Sequence, residues 1–161
     1  MSQTVAELLV GALEETGVKQ IFALIGDSLN PLADAVRRSQ IEWIGVRHEE
    51  GAALAAAGQA KLTGKLAVCA GTTGPGSTHL VAGLYEAARD HAPVLALSGD
   101  MPRKFQGTDY IQTTKPDLLF RDVSLYTETI NSPEQAPRSF TRPSPRPMPA
   151  GAWPTSRYPR T

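Results

Sequence analysis

The chain has 161 residues, 41 % of them hydrophobic and 20 % charged, enough to bury the core of one soluble globular domain. A formal net charge of zero offers no electrostatic footprint for a nucleic-acid or anionic-membrane partner. The single cysteine, Cys69, excludes a disulfide framework and favours a reducing, cytoplasmic setting. No basic segment precedes the first apolar residues, so no signal peptide is expected. No apolar run reaches the roughly 18 residues that a membrane span needs.

Thr4 to Glu15 is predicted as an amphipathic helix, with Val5, Leu8, Leu9, Ala12 and Leu13 at helical spacing. Thr4 followed by Glu7 makes a capping box, and Gly17 closes the helix. Lys19 to Ile25 reads as a short buried strand. Gly26-Asp27-Ser28 is a turn with helix-capping chemistry, and Leu29 to Arg38 a second helix that tolerates Pro31 in its first turn. Ile41 to Val46 is a second strand, and Val46-Arg47-His48-Glu49-Glu50-Gly51 carries it into an Ala-rich helix over Glu50 to Leu62. A carboxylate where a strand gives way to a helix is a common way to build a site in an α/β sheet, because ligands sit outside the carboxyl ends of the strands.

That helix carries Ala52, Ala53, Ala55, Ala56, Ala57, Gly58 and Ala60. Such small residues permit close approach to a sheet or helix, either within the domain or at a subunit interface. Gly64 ends it. Leu66 to Ala70 is a third strand, apolar throughout as a central parallel strand should be, and Cys69 inside it reads as a buried, inert thiol. Gly71 to Ser77 is a Gly-rich loop, Thr78 to His91 the helix behind it, and Pro93 to Ser98 a fourth strand. The alternation predicts an α/β fold, a three-layer α/β/α domain with a mostly parallel sheet. Beyond Gly99 the pattern is less regular. Pro116 to Phe120 reads as a short helix and Val123 to Ile130 as a further strand.

The composition changes at Pro133: 8 of the 13 prolines lie from there on, and no acidic residue follows Glu134. The chain therefore divides into a folded domain, residues 1–136, and a basic Pro/Arg-rich segment, residues 137–161, with no period of a helix or strand. At face value this segment is disordered. A second reading comes from the genetic code. Back-translate Arg138 to Thr161 with codons chosen from those each residue permits, and add one nucleotide in front. The new frame reads AVIHQAIAAAYAGGRVAHLTIPQD, an Ala-rich helix pattern, a Gly turn and a strand pattern. On this reading the segment is a frameshift product and the domain is incomplete at its C-terminal end.

Glu49 leads the candidates for chemistry. A carboxylate at a strand end beside His48, shielded by an Ala-rich helix, is partly dry and suited to act as an acid or hydrogen-bond donor. The plainer alternative is that Glu49 and Glu50 sit in a first helical turn, where the dipole favours them. Gly74-Pro75-Gly76 opens a helix, so backbone N–H groups there can meet an anion, or the turn is simply tight. It is neither a P-loop nor a GxGxxG loop. His79, one turn into that helix, reads as a packed or capping histidine sooner than a catalytic one. His48, His79 and Cys69 lack metal-ligand spacing, so no metal site is expected.

Three stretches, GVKQIFALIGDSLNPLADAV, RHEEGAALAAAGQAKLTGKLAVCAGTTGPGSTHLVAGLYEA and HAPVLALSGDMP, change this balance. Together they resemble the N-terminal, pyrimidine-binding domain of thiamine-diphosphate-dependent enzymes of the pyruvate oxidase, quinone-dependent pyruvate dehydrogenase and acetolactate synthase group. The resemblance runs from about Thr4 to Ala136. It implies that Glu49 is the catalytic glutamate that hydrogen-bonds N1′ of the cofactor's aminopyrimidine. That contact promotes the imino tautomer, which removes the thiazolium C2 proton so that a 2-oxo acid such as pyruvate can be attacked and lose CO₂. It further implies that Thr73, Pro75, Gly76 and His79 line the pyrimidine pocket and that Gly26 and Asp27 lie near its substrate end. Gln112 is similar in place to an active-site glutamine, although Ile111 and Thr113 stand where relatives often have an aromatic residue and a glutamate.

Family members are longer. The resemblance implies a middle domain, which binds FAD in the oxidases, and a C-terminal domain that holds the diphosphate through Mg²⁺. The metal motif of that last domain, Gly-Asp-Gly followed by paired asparagines, does not occur in this sequence. The expectation is a chain that supplies half of a cofactor site shared between subunits of a homo-oligomer, and that is inactive alone. Two alternatives stand beside it: a small subunit of a split enzyme, acetolactate-synthase-like, and a non-catalytic module on the same fold.

Overall fold

A computed structural model describes residues 3–136 and, as backbone, a strand at residues 155–159. In chain order the elements are α1 (Val5–Glu15), β1 (Gln20–Ala23), α2 (Asn30–Arg37), β2 (Glu42–Gly45), α3 (Glu49–Thr63), β3 (Ala67–Gly71), α4 (Pro75–Arg89), β4 (Val94–Asp100), α5 (Pro116–Leu119), β5 (Thr127–Thr129) and β6 (Thr155–Pro159). The strands form one six-stranded sheet in the order β2-β1-β3-β4-β6-β5, and every adjacent pair is parallel.

Alternation along the strands sorts the core into two layers, because successive side chains point to opposite faces. Ile21, Ala23, Val68, Ala70, Leu95 and Leu97 meet Leu9, Leu13, Leu32 and Val36 of α1 and α2. Ala67, Cys69, Val94 and Ala96 meet Ala53, Ala56, Leu80 and Leu84 of α3 and α4 on the other face. The three-layer α/β/α architecture is therefore present. The small residues of α3 serve packing inside the domain: a Cβ on Gly83 of α4 would lie 2.5 Å from Ala53 Cβ and 2.7 Å from Leu54 N.

Local chemistry explains most boundaries. Thr4 caps α1, accepting from Glu7 N while the Glu7 carboxylate accepts from Thr4 N. Those bonds hold the Glu7 carboxyl below its ordinary range, with the Thr4 backbone N–H as the larger cause. Gly64, at φ 66°, ends α3 in the left-handed region that favours glycine. Helix α4 begins at Pro75, three residues before the predicted Thr78, because Gly74 at φ 71° turns the chain and Pro75 is preset for a first helical turn. Strand β5 occupies only Thr127–Thr129 of the predicted Val123–Ile130. Among the described residues no helix is long and apolar enough to cross a membrane.

The sequence reading expects no regular element after Pro133, and β6 differs from that expectation. Its backbone pairs with β4 from Leu97↔Ser156 to Asp100↔Pro159, and with β5 from Thr127↔Thr155 to Thr129↔Arg157. Residues 137–154, which hold most of the expected Pro/Arg-rich segment, lie outside the described residues.

Candidate functional site

The chain runs outward from β1 to β2, then returns to place β3 on the other side of β1. At such a switch point the loops after neighbouring strands diverge and leave a crevice at their carboxyl ends. The candidate residues gather there. Glu49 follows β2 as the first residue of α3, Thr73 to Gly76 follow β3, and Gln112 follows β4.

Glu49 is only 4 % exposed. His48 caps α3, its Nδ1 accepting the Glu50 N–H at 3.3 Å. That cap turns Glu49 inward, where Oε2 lies 3.0 Å from Nδ1 of His79, one turn into α4. One proton serves this contact: His79 donates to the ionised carboxylate, or the protonated carboxyl donates to the ring. The His48 and His79 rings stack, with centroids 4.5 Å apart and an interplanar angle of 25°. His48, Glu49 and His79 thus offer ligand atoms within 4.8 Å of one another, a proximity that sequence spacing does not show. The first turns of α3 and α4 both bear on this point, which favours a negative charge over a cation.

The Gly-rich loop is drawn tight against the carboxylate. A Cβ on Gly76 would lie 3.1 Å from Glu49 Oε1, 2.9 Å from Thr72 Cγ2 and 3.0 Å from the Gly71 carbonyl carbon. A Cβ on Gly74 would lie 2.5 Å from the Gln112 carbonyl oxygen, so Gln112 is held over the turn by its backbone. Gln112 is exposed and takes φ 64°, which is uncommon for a residue with a side chain. Gly26 abuts Thr72, where a Cβ would come within 2.6 Å of Thr72 Oγ1. Asp27 is exposed at the start of the 3-10 turn Asp27–Leu29, and Pro75 is exposed at the head of α4.

Buried hydroxyls fix the loop from below. Ser28 Oγ accepts the Thr73 N–H at 2.9 Å and bonds Thr72 Oγ1 at 2.9 Å. Ser77 Oγ donates to the Thr72 carbonyl at 3.1 Å and lies 2.6 Å from Ser98 Oγ, which donates to the Gly99 carbonyl at 3.0 Å. Two hydroxyl protons cannot make all three of the Ser77 and Ser98 contacts at once, so one is always given up. One hydroxyl stays unused: Thr73 Oγ1 is buried, in a residue 8 % exposed, and has no hydrogen-bond partner. A buried polar atom left unpaired is costly unless something fills the gap.

The structure thus joins Glu49, Gly76 and His79 directly, with Gly26 linked to them through Thr72, Thr73 through Ser28 and Thr72, and Gln112 through Gly74. Cys69 stands apart, fully buried in β3, and burial pushes its thiol up to about 12. Ser28, Ser77 and Ser98 were not singled out from sequence, because their meeting depends on the strand order rather than on spacing along the chain.

Comparison with known proteins fits this geometry. Residues 3–119 match the family described as thiamine pyrophosphate enzyme, N-terminal TPP binding domain. The chain is 49 % identical over 134 residues to an uncharacterized 42.6 kDa protein of Pseudomonas amyloderamosa, covering 83 % of this chain and 34 % of that one. It is 44 % identical over 123 residues to a pyruvate oxidase of Lactiplantibacillus plantarum, covering 75 % of this chain and 20 % of the relative. To the large subunit of an Escherichia coli acetolactate synthase isozyme it is 38 % identical over 133 residues, covering 83 % and 24 %. The chain spans between a fifth and about a third of the length of these curated relatives.

Proposed function

The chain belongs to the thiamine pyrophosphate enzyme family, as its N-terminal TPP-binding domain, and from that premise we propose that the crevice receives the aminopyrimidine end of thiamine diphosphate. The observation that carries this reading is the buried Glu49 carboxylate, bonded to His79 and facing a loop whose glycines leave no room for a side chain. The residues present fit a flat ring with polar edges. Glu49 offers a carboxylate at one edge and the unpartnered Thr73 Oγ1 offers a hydroxyl, with Gly76 packed against the carboxylate.

In this reading Glu49 holds a proton at the N1′ edge of the pyrimidine. His79 steers the carboxyl group, and the dipoles of α3 and α4 stabilise the charge it carries once that proton passes to N1′. Thr73, Pro75 and Gly76 line the ring's approach. Gly26, Asp27 and Gln112 stand toward the reacting end, where a 2-oxo acid such as pyruvate docks. Thiamine diphosphate, when bound, supplies the carbanion chemistry by which such an acid loses CO₂. The proposal places the diphosphate, its Mg²⁺ and any FAD in further domains or a partner subunit of a pyruvate-oxidase-type enzyme, and this chain alone is then inactive.

Two measurements test it. Thiamine diphosphate titrated into the labelled chain shifts the amide signals of Gly74 and of Gly76 to His79, and the Glu49→Gln variant loses that response while its spectrum stays dispersed. A folded chain whose loop signals ignore millimolar cofactor overturns the assignment. Pyruvate turnover by the purified chain with cofactor and Mg²⁺ overturns the claim of inactivity alone.

A further inference from the structure

The place that β6 occupies and the residues that occupy it disagree. It is an interior strand, parallel to β4 on one side and to β5 on the other. Interior parallel strands are covered on both faces and run near-continuously apolar, as β3 (Ala-Val-Cys-Ala-Gly) does, buried throughout. Thr155-Ser156-Arg157-Tyr158-Pro159 does not.

The connection shows the same conflict. β5 ends at Thr129 and β6 begins at Thr155. Parallel neighbours in one sheet can be joined only by a crossover, ordinarily a helix. The sequence of residues 137–154 holds six prolines, and Pro143, Pro145, Pro147 and Pro149 fall at every second position. Each proline in a helix interior costs about 3 kcal/mol, so this sequence disfavours the crossover helix that the topology calls for.

We propose that Arg138 to Thr161 is an out-of-frame translation of a gene segment that encodes, one nucleotide away, a crossover helix and a strand with one apolar face to fill this place in the sheet. The argument does not rest on the functional reading above. The genetic code supplies the mechanism. Alanine codons GCC-GCG-GCC, entered one base late, read CCG-CGG-CC, which is Pro-Arg-Pro, the sequence at Pro145-Arg146-Pro147. An Ala-rich helix in GC-rich DNA and a Pro/Arg-rich tail are thus two frames of one text. With codons chosen from those each residue permits, positions 138–149 of the other frame read AVIHQAIAAAYA, free of proline and glycine. A Gly-Gly turn follows, and then RVAHLTIPQD. Its segment HLTIP falls on the five positions of β6, with a leucine at 156 and an isoleucine at 158 on one face of the strand. The third base of every codon but those of Met148 and Trp153 remains open in this reconstruction and is what the gene decides.

The test is the nucleotide sequence across codons 130 to 165, together with a chain expressed from the same gene carrying one added nucleotide before codon 138. The expected DNA has third bases that spell a shifted frame without stops or prolines from 138 to 149. The frame-restored chain then unfolds in urea at a higher midpoint and with a steeper dependence on denaturant than this chain. A stop codon or repeated prolines in the shifted frame overturns the proposal. So does a frame-restored chain with an unchanged midpoint and slope.

Discussion

Thr73 separates the demands of folding from those of binding more cleanly than any other residue of the site. Its backbone N–H is tied to Ser28, yet its hydroxyl is buried with no partner. Thr73→Val keeps the shape and deletes that hydroxyl, so stability is expected to hold or rise by about 1 kcal/mol. Cofactor-induced shifts in the loop should weaken in the same variant, and a Tm scan beside the titration reads both. Gly76→Ala acts in the opposite sense. Its Cβ meets the Gly71 and Glu49 atoms at 3.0 and 3.1 Å, and overpacking of that kind costs about 1–3 kcal/mol in urea unfolding. Cys69 gives a pH test. Burial raises its thiol from 9.0 to about 12. A raised folded-state value means that the stabilising contribution is complete below pH 9 and is lost as pH climbs toward 12. Native Cys69 should therefore resist thiol reagents at pH 8 and react once urea unfolds the chain. Glu49 and His79 were legible in the sequence as a strand-end carboxylate and a histidine behind a glycine turn. Their 3.0 Å bond was not, because 30 residues separate them and only the switch in strand order joins them.

At the scale of the element, α3 and α4 pack closely against each other on the site's side of the sheet. Gly83 sits so close to Ala53 and Leu54 that no side chain fits between the helices. Gly83→Ala should push α4 outward and carry His79 with it. The expected outcome is a loss of stability of a few kcal/mol and a weaker loop response to cofactor, whereas an unchanged Tm would show that the helices can part without cost. The first helix offers a milder contrast: Thr4→Ala removes one capping bond and should cost about 1 kcal/mol, leaving the site untouched. Elements of this kind were the legible ones, since α1 announces itself by Thr4 and Glu7 and α3 ends on Gly64, where only local chemistry is at stake. The start of α4 was misplaced because Gly74 and Pro75 read as loop residues until their backbone angles are known. Strand β6 was missed because its residues carry no strand pattern, and its position follows from backbone pairing to β4 and β5.

For the molecule as a whole, burial is concentrated in the middle of the sheet. All residues of β3 and β4 are buried, while β2 at one edge is exposed at its two ends and half-buried between them. Native-state hydrogen exchange should rank the amides accordingly, with β3 slowest and β2 faster, since local opening needs the least exposure of apolar surface at an edge. Equal rates across the sheet would contradict a core held from its centre. The sheet order also dictates a schedule. Because β6 lies between β4 and β5 but follows both in the chain, β5 leaves the ribosome before the strand that anchors it exists. Until residue 159 emerges, β4 presents a bare hydrogen-bonding edge and β5 has nowhere to dock. Vectorial synthesis therefore leaves a sticky intermediate whose lifetime is set by translation speed over residues 130–159, and cellular yield should answer to chaperone supply during that interval.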